Sequence, residues 1–249
     1  MEKTRICAFG DSALKGTVLE SETPLRYTLP DKTFTDIAAE KLGVSIDNFA
    51  RFGSTVAAGG KMLIRHFTQL PLYDFALLKF GGNDCDFYWQ AIAADPGRHH
   101  DPNVPLTDFS LFYEKLLDSI RAAGPVPVML TMLPLDPERY FRHITRNFSP
   151  EGRANVLEWL GGTPEFIARW HDMYALQVRG LASRFDVPLI DIAVPLTESG
   201  NAAEFLCEDG IHPNLKGQEL MAGALASALG GILEARMPAS PTQQRFAFC

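Results

Sequence analysis

Ser12 stands just after Phe9-Gly10-Asp11 near the start of the chain, and Asp209-Gly210-Ile211-His212-Pro213 stands near its end. A serine, a histidine and a carboxylate are the parts of a nucleophilic relay. The imidazole takes the serine proton as the oxygen attacks, and the acid orients the ring and stabilises its charged form. An acid and a histidine three apart fit one tight turn with both side chains on the same side. Pro213 disfavours helix at His212 and suits the first turn of a helix that follows. Taken singly, each stretch has a plainer reading. Ser12 can be a helix cap with Gly10 serving only the turn, and Asp209 and His212 can be two polar residues in a surface turn.

Two further stretches bear on acyl chemistry, which develops negative charge on a carbonyl oxygen. In Asn48-Phe49-Ala50-Arg51-Phe52-Gly53-Ser54, Gly53 allows close backbone approach and can present its N–H. Gly59 and Gly60 lie nearby and compete for that role. In Phe80-Gly81-Gly82-Asn83-Asp84 the paired glycines let the chain bend, and Asn83 projects an amide N–H suited to an oxyanion. Taken alone, the Gly53 stretch is better read as simple turn geometry, while a polar turn and an oxyanion donor account for the Asn83 stretch equally well.

These residues need elements to bring them together. Short, mainly apolar runs at 4–9, 44–49, 74–80, 126–132 and 187–192 read as buried strands. Helical patterns lie at 31–42, 57–69, 107–123, 164–185 and 215–236. In 107–123 the apolar stripe is Phe109, Phe112, Leu116, Leu117 and Ile120, and Gly124 ends it. Alternating strands and helices imply right-handed crossovers and a parallel sheet in a three-layer α/β/α sandwich. Ser12, Gly53 and Asn83 each follow a strand, so they leave from the carboxyl edge, where open α/β sheets hold ligands. The expectation is one domain over 1–237, with a loose tail at 238–249. Two long connections at 85–106 and 133–163 leave from the same edge and carry Phe87, Tyr88, Trp89, Tyr140, Phe141 and Trp159. They are candidates for a lid.

The net charge is −7, which opposes a nucleic-acid surface. The apolar run after the charged start is too short and too interrupted for a signal peptide, and no stretch is long enough to span a membrane. The four cysteines, at 7, 85, 207 and 249, match neither a zinc spacing nor a disulfide framework. A cytoplasmic setting follows as an expectation. His66, His143 and His171 have no partners at metal-ligand spacing, and His99-His100 are adjacent, so surface roles are expected. Arg139, Arg142, Arg146 and Arg153 of the second connection are expected on the surface as well.

Together the four stretches are far more specific than any one. Gly-Asp-Ser at the start, a glycine after the second strand, Gly-x-Asn-Asp after the third and Asp-x-x-His before the last helix resemble the SGNH, or GDSL-type, hydrolases. The resemblance spans nearly the whole chain. It implies a flavodoxin-like parallel five-stranded sheet of order 2-1-3-4-5. It also implies a Ser12 nucleophile, a His212 base and an Asp209 acid. The implied oxyanion donors are the backbone N–H groups of Ser12 and Gly53 and the side chain of Asn83. Ala13 departs from the leucine of the GDSL signature, at a position read as packing. The implied activity is cleavage of small-molecule carboxylic esters, acetyl groups on carbohydrates being the first expectation, with no metal or organic cofactor. A lipid ester or thioester is the alternative substrate. A binding module on the same fold would lack one member of the relay, and none is missing. A nucleotide-binding protein would want a Gly-x-Gly-x-x-Gly or phosphate loop after the first strand. Residues 10–16 have too few glycines for that.

Overall fold

The computed structural model describes residues 3–20, 25–198 and 200–236. The chain opens with β1 (Arg5–Gly10), α1 (Ser12–Lys15) and a small hairpin of β2 (Val18–Glu20) and β3 (Arg26–Thr28). Then come α2 (Phe34–Leu42), β4 (Ser45–Asn48), α3 (Val56–His66) and β5 (Phe75–Lys79). The first long connection holds α4 (Trp89–Ala94), and α5 (Leu106–Ala123) and β6 (Val126–Leu130) follow it. The second holds α6 (Pro137–Thr145) and α7 (Pro150–Trp159). The chain continues through α8 (Glu165–Arg184), β7 (Leu189–Ile190), α9 (Val194–Thr197) and α10 (Leu215–Arg236).

Five strands form a parallel sheet in the order β4-β1-β5-β6-β7. Numbered among themselves, these strands run 2-1-3-4-5. The strand labels differ from that count because the β2–β3 hairpin intervenes, a feature the sequence reading did not anticipate. Alternate side chains of each strand enter opposite layers. Cys7, Phe9, Ala76 and Leu78 join one core with α3, α5 and α8. Ile6, Ala8, Phe75 and Leu77 join the other with α2 and α10. Burial on both faces explains why the strands read as apolar runs rather than alternating ones.

Three details depart from expectation. On α5 the buried stripe is Phe109, Tyr113, Leu116, Leu117 and Ile120, whereas Phe112 is 37% exposed. Tyr113 lies one turn on from Phe109, and Phe112 falls at the edge of the stripe. The last strand is two residues long instead of six, because Pro188 and the turn at Asp191 flank it. The first long connection holds one short helix and the second is mainly helical, and they pack on each other. Phe87, Trp89 and Ile92 from the first meet Tyr140, Phe141, Val156 and Leu160 from the second in a third apolar cluster. The expected tail at 238–249 lies outside the described residues.

Candidate active site

The break after β1 is held from three sides. Asp11 caps α1, its Oδ1 accepting from the N–H groups of Ala13 at 3.0 Å and Leu14 at 3.3 Å. Lys79 Nζ donates to both oxygens of the same carboxylate, at 3.1 and 2.9 Å. The Asp11 N–H in turn donates to the Lys79 carbonyl at 3.2 Å. Gly10 runs so close to this strand that a Cβ would lie 2.5 Å from the Lys79 carbonyl oxygen. The glycine is therefore needed for the close approach of β1 and β5. Ser12 is left at the first helical position, where its N–H has no partner within the helix.

His212 arrives on a turn closed by the Cys207 N–H donating to the His212 carbonyl at 2.7 Å. Asp209 Oδ1 accepts the N–H groups of Ile211 and His212, both at 3.1 Å. Its Oδ2 lies 2.7 Å from His212 Nδ1, and His212 Nε2 lies 2.8 Å from Ser12 Oγ. An ionised carboxylate only accepts, so Nδ1 carries the hydrogen and Nε2 is the acceptor facing Ser12. Asp209 is fully buried. Burial pushes its carboxyl up, but the His212 hydrogen bond and charge and the two backbone N–H groups outweigh that. The net effect holds Asp209 below the usual carboxylate range. The His212 ring is flanked by Phe52, stacked at 5.8 Å, and by Tyr27 at 5.1 Å.

Asn83 sits on the loop that ends β5. Asp84 fixes this loop, accepting from the Gly81 N–H at 3.0 Å and from the Val56 N–H, at the start of α3, at 2.8 Å. Gly81 has φ +132°, and a Cβ there would run into the Met132 sulfur. The Asn83 amide donates to the Ser54 carbonyl at 3.2 Å. A primary amide has two N–H groups, so one remains to donate elsewhere. Burial is the main force raising the Asp84 carboxyl to about 7, with the Asp11 charge adding to it against the backbone donors of Val56, Gly81 and Asp84 itself. Gly53 is exposed, with φ +71°, next to Phe52.

Ser12, Asn83 and His212 line one cavity of about 320 Å³, and Gly53 is not among the residues of its wall. Much of the wall is aromatic: Tyr27 and Phe52, Phe87 and Trp89 of the first long connection, Tyr140 of the second, and Trp170 of α8. Both long connections therefore flank the cavity that holds Ser12.

The expectation of surface roles for three histidines is corrected. His171 is buried, and His143 is half-buried. Both line the cavity. His66 is half-buried and stacks on Phe49 at 3.9 Å. These positions owe their burial to how the helices pack, which spacing between histidines does not report. His143 Nε2 lies 3.0 Å from the Tyr27 hydroxyl. Burial, reinforced by Arg146, lowers the His143 pKa. Arg139 is likewise only half-exposed, donating to the Ala203 carbonyl at 2.7 Å. Lys79 went unremarked in the sequence reading. Its signal was a lysine at the end of an otherwise apolar strand, which requires a buried partner.

The sequence pattern of the GDSL-like lipase/acylhydrolase family matches residues 8–220 of this chain, a span that includes both Ser12 and His212. The chain belongs to that family. As a GDSL-like lipase/acylhydrolase it is an ester-hydrolysing enzyme. No curated protein matches it by sequence. Solved structures with the same fold include a lipase/acylhydrolase from Enterococcus faecalis. It is 19% identical with a TM-score of 0.60, and the match covers 92% of this chain and 96% of that one. A catalytic mutant of an acetylxylan esterase from Geobacillus stearothermophilus is 15% identical with a TM-score of 0.63, over the same 92% and 96%. An alpha/beta hydrolase from the metagenome of Lake Arreo, Spain, is 18% identical with a TM-score of 0.60, again over 92% and 96%. Among the described residues of this chain no helix is long and apolar enough to cross a membrane.

Proposed function

We propose that the chain is a serine esterase that removes short acyl groups, acetyl first among them, from carbohydrate or related alcohols. The observation that carries this reading is the unbroken line of contacts from Asp209 through His212 to Ser12, at 2.7 and 2.8 Å. In the proposed reaction Ser12 Oγ attacks the ester carbonyl carbon and its proton passes to His212 Nε2. Asp209 holds the imidazole in register and stabilises the imidazolium. The tetrahedral oxyanion is bound by the Ser12 N–H, the Asn83 amide and the Gly53 N–H. Support for Asn83 comes from its place in the cavity wall and its second amide hydrogen. Support for Gly53 comes from its position beside Phe52 on the loop after β4. Collapse of the intermediate breaks the bond from carbon to the alcohol oxygen, and the alcohol leaves with the proton from His212. Water, deprotonated by His212, then attacks the acyl-Ser12 carbonyl and releases the acid.

The acyl preference draws on the small aromatic cavity and on the acetylxylan esterase that shares the fold. We also read the two long connections as a lid over the bound ester, supported by their packing on each other and along the cavity. A cytoplasmic location is part of the proposal, supported by three free, buried cysteines at 7, 85 and 207. The test is hydrolysis of aryl esters of increasing acyl length by wild type, Ser12→Ala and His212→Ala. The proposal requires both variants to lose activity and acetyl to outpace longer chains. Full activity in Ser12→Ala overturns the mechanism. A preference for long acyl chains overturns the substrate class and favours a lipid ester.

A further inference from the structure

Asp86 is a carboxylate in the cavity wall three residues beyond Asn83. One oxygen accepts the indole N–H of Trp89 at 2.8 Å. Burial pushes its carboxyl up, against the opposing pull of the Tyr140 hydroxyl, the Phe87 backbone N–H and the Trp89 indole. Among the described residues no lysine, arginine or histidine forms an ion pair with it. A carboxylate has about four lone-pair sites, and sealed carboxylates without a cation are costly unless they accept several hydrogen bonds. Asp11, the other carboxylate of this wall, is taken up by Lys79 and the α1 cap. Asp86 has no such cation, and three donors against about four lone-pair sites leave it about one acceptor position for a group bound in the cavity it lines.

The surroundings say what would fill that capacity. Flat rings of Phe87, Trp89 and Tyr140 stand beside the carboxylate, and Gln90 and His171 add polar groups to the same wall. Aromatic faces next to hydrogen-bonding groups suit an alcohol with apolar C–H faces and several hydroxyls. A lone ammonium fits less well, because Lys79 and Arg146 also line the cavity. Trp89 holds Asp86 in place, and both belong to the first long connection, so the carboxylate is fixed relative to Asn83.

We infer that Asp86 is a specificity-determining residue that accepts a hydrogen bond from a hydroxyl group of the substrate alcohol, which makes the preferred substrates acetates of polyols or sugars. This inference rests on the esterase reading above and adds to it the residue that recognises the alcohol. A hydrogen bond to a charged group contributes enough to change specificity by about tenfold or more.

The experiment compares kcat/KM for glycerol monoacetate, which carries free hydroxyls, with that for ethyl acetate, which carries none. Wild type, Asp86→Asn and Asp86→Ala are measured, with Ser12→Ala as the control for the underlying mechanism. The expected result is a wild-type ratio well above one that falls about tenfold or more in both Asp86 variants, expressed chiefly in KM. Circular dichroism and thermal melts establish that each variant is folded, and Asp86→Asn keeps an oxygen for Trp89 if Asp86→Ala does not fold. A wild-type ratio near one, or a ratio unchanged in folded Asp86→Asn, overturns the inference while leaving the esterase reading intact. Retained hydrolysis in Ser12→Ala overturns instead the Ser12 mechanism on which the proposed function rests.

Discussion

Replacing Lys79 by Met keeps the length of the side chain and deletes the charge, which leaves Asp11 as a buried carboxylate without its cation. The two side chains are 4% and 3% exposed, so water does not take the place of the lost ammonium. Breaking a buried pair from one side costs about 3–5 kcal/mol. Asp11 keeps the N–H groups of Ala13 and Leu14 as donors. That offsets part of the loss and places the expected cost near the lower end, about 3 kcal/mol. In a chain of this size each kcal/mol moves Tm by about 2–4 °C, so the melt should shift down by about 6–12 °C. The assay is thermal and urea unfolding of wild type, Lys79→Met, Asp11→Asn and the double variant. Once both charges are gone no ion is stranded, so the double variant should lose much less than the sum of the singles. The coupling should be at least about 1 kcal/mol. Activity should fall with stability in Lys79→Met, because Asp11 sets where α1 begins and hence where Ser12 sits. A Lys79→Met cost below about 1 kcal/mol, or additive single effects, would refute the reasoning.

Other outcomes follow from the same geometry. Asp209→Asn should leave the fold intact and lower kcat by about 10⁴-fold, since the amide no longer fixes the imidazole tautomer, as steady-state kinetics would record. Asn83→Ala should lower kcat by about 10²–10³ with a small change in KM; an effect confined to KM would remove Asn83 from the oxyanion site. For Asp84, the folded carboxyl is raised to about 7, above its unfolded value of about 3.9. The folded state then binds more protons between those values, and Asp84 lowers stability as pH rises through that window. Urea midpoints of Asp84→Asn relative to wild type should therefore climb from pH 4 to pH 7, and a flat difference would count against the burial of an uncompensated charge. Gly81→Ala should destabilise strongly or fail to fold, because φ is +132° and Met132 blocks the Cβ; a melt within about 1 °C of wild type would contradict this.

Much of the sheet was legible because the inner strands β1, β5 and β6 are buried on both faces and so carry continuous apolar runs. The edge that gathers Ser12, Asn83 and His212 followed from strand-ending glycines and from the topology. Features set by tertiary contact were not legible. The β2–β3 hairpin is three residues on each side, too short to show a period, yet it carries Tyr27 to the His212 ring. His143 and His171 look like helix-surface residues until α6 and α8 pack beside the cavity. Phe112 and Tyr113 differ by one position, and only the angle at which α5 meets the sheet decides which is buried. Lys79 was readable in principle, as a charge in a strand with no room for water, but its partner lies across the sheet rather than nearby in sequence.

The central claim is that Ser12 is the nucleophile and His212 its base. Incubation with a fluorophosphonate, followed by mass spectrometry of the peptide containing Ser12, tests it most directly. The account predicts a single covalent adduct on Ser12 in wild type, none in Ser12→Ala, and labelling slowed by orders of magnitude in His212→Ala. An adduct on another residue, or unchanged labelling in folded His212→Ala, would contradict it.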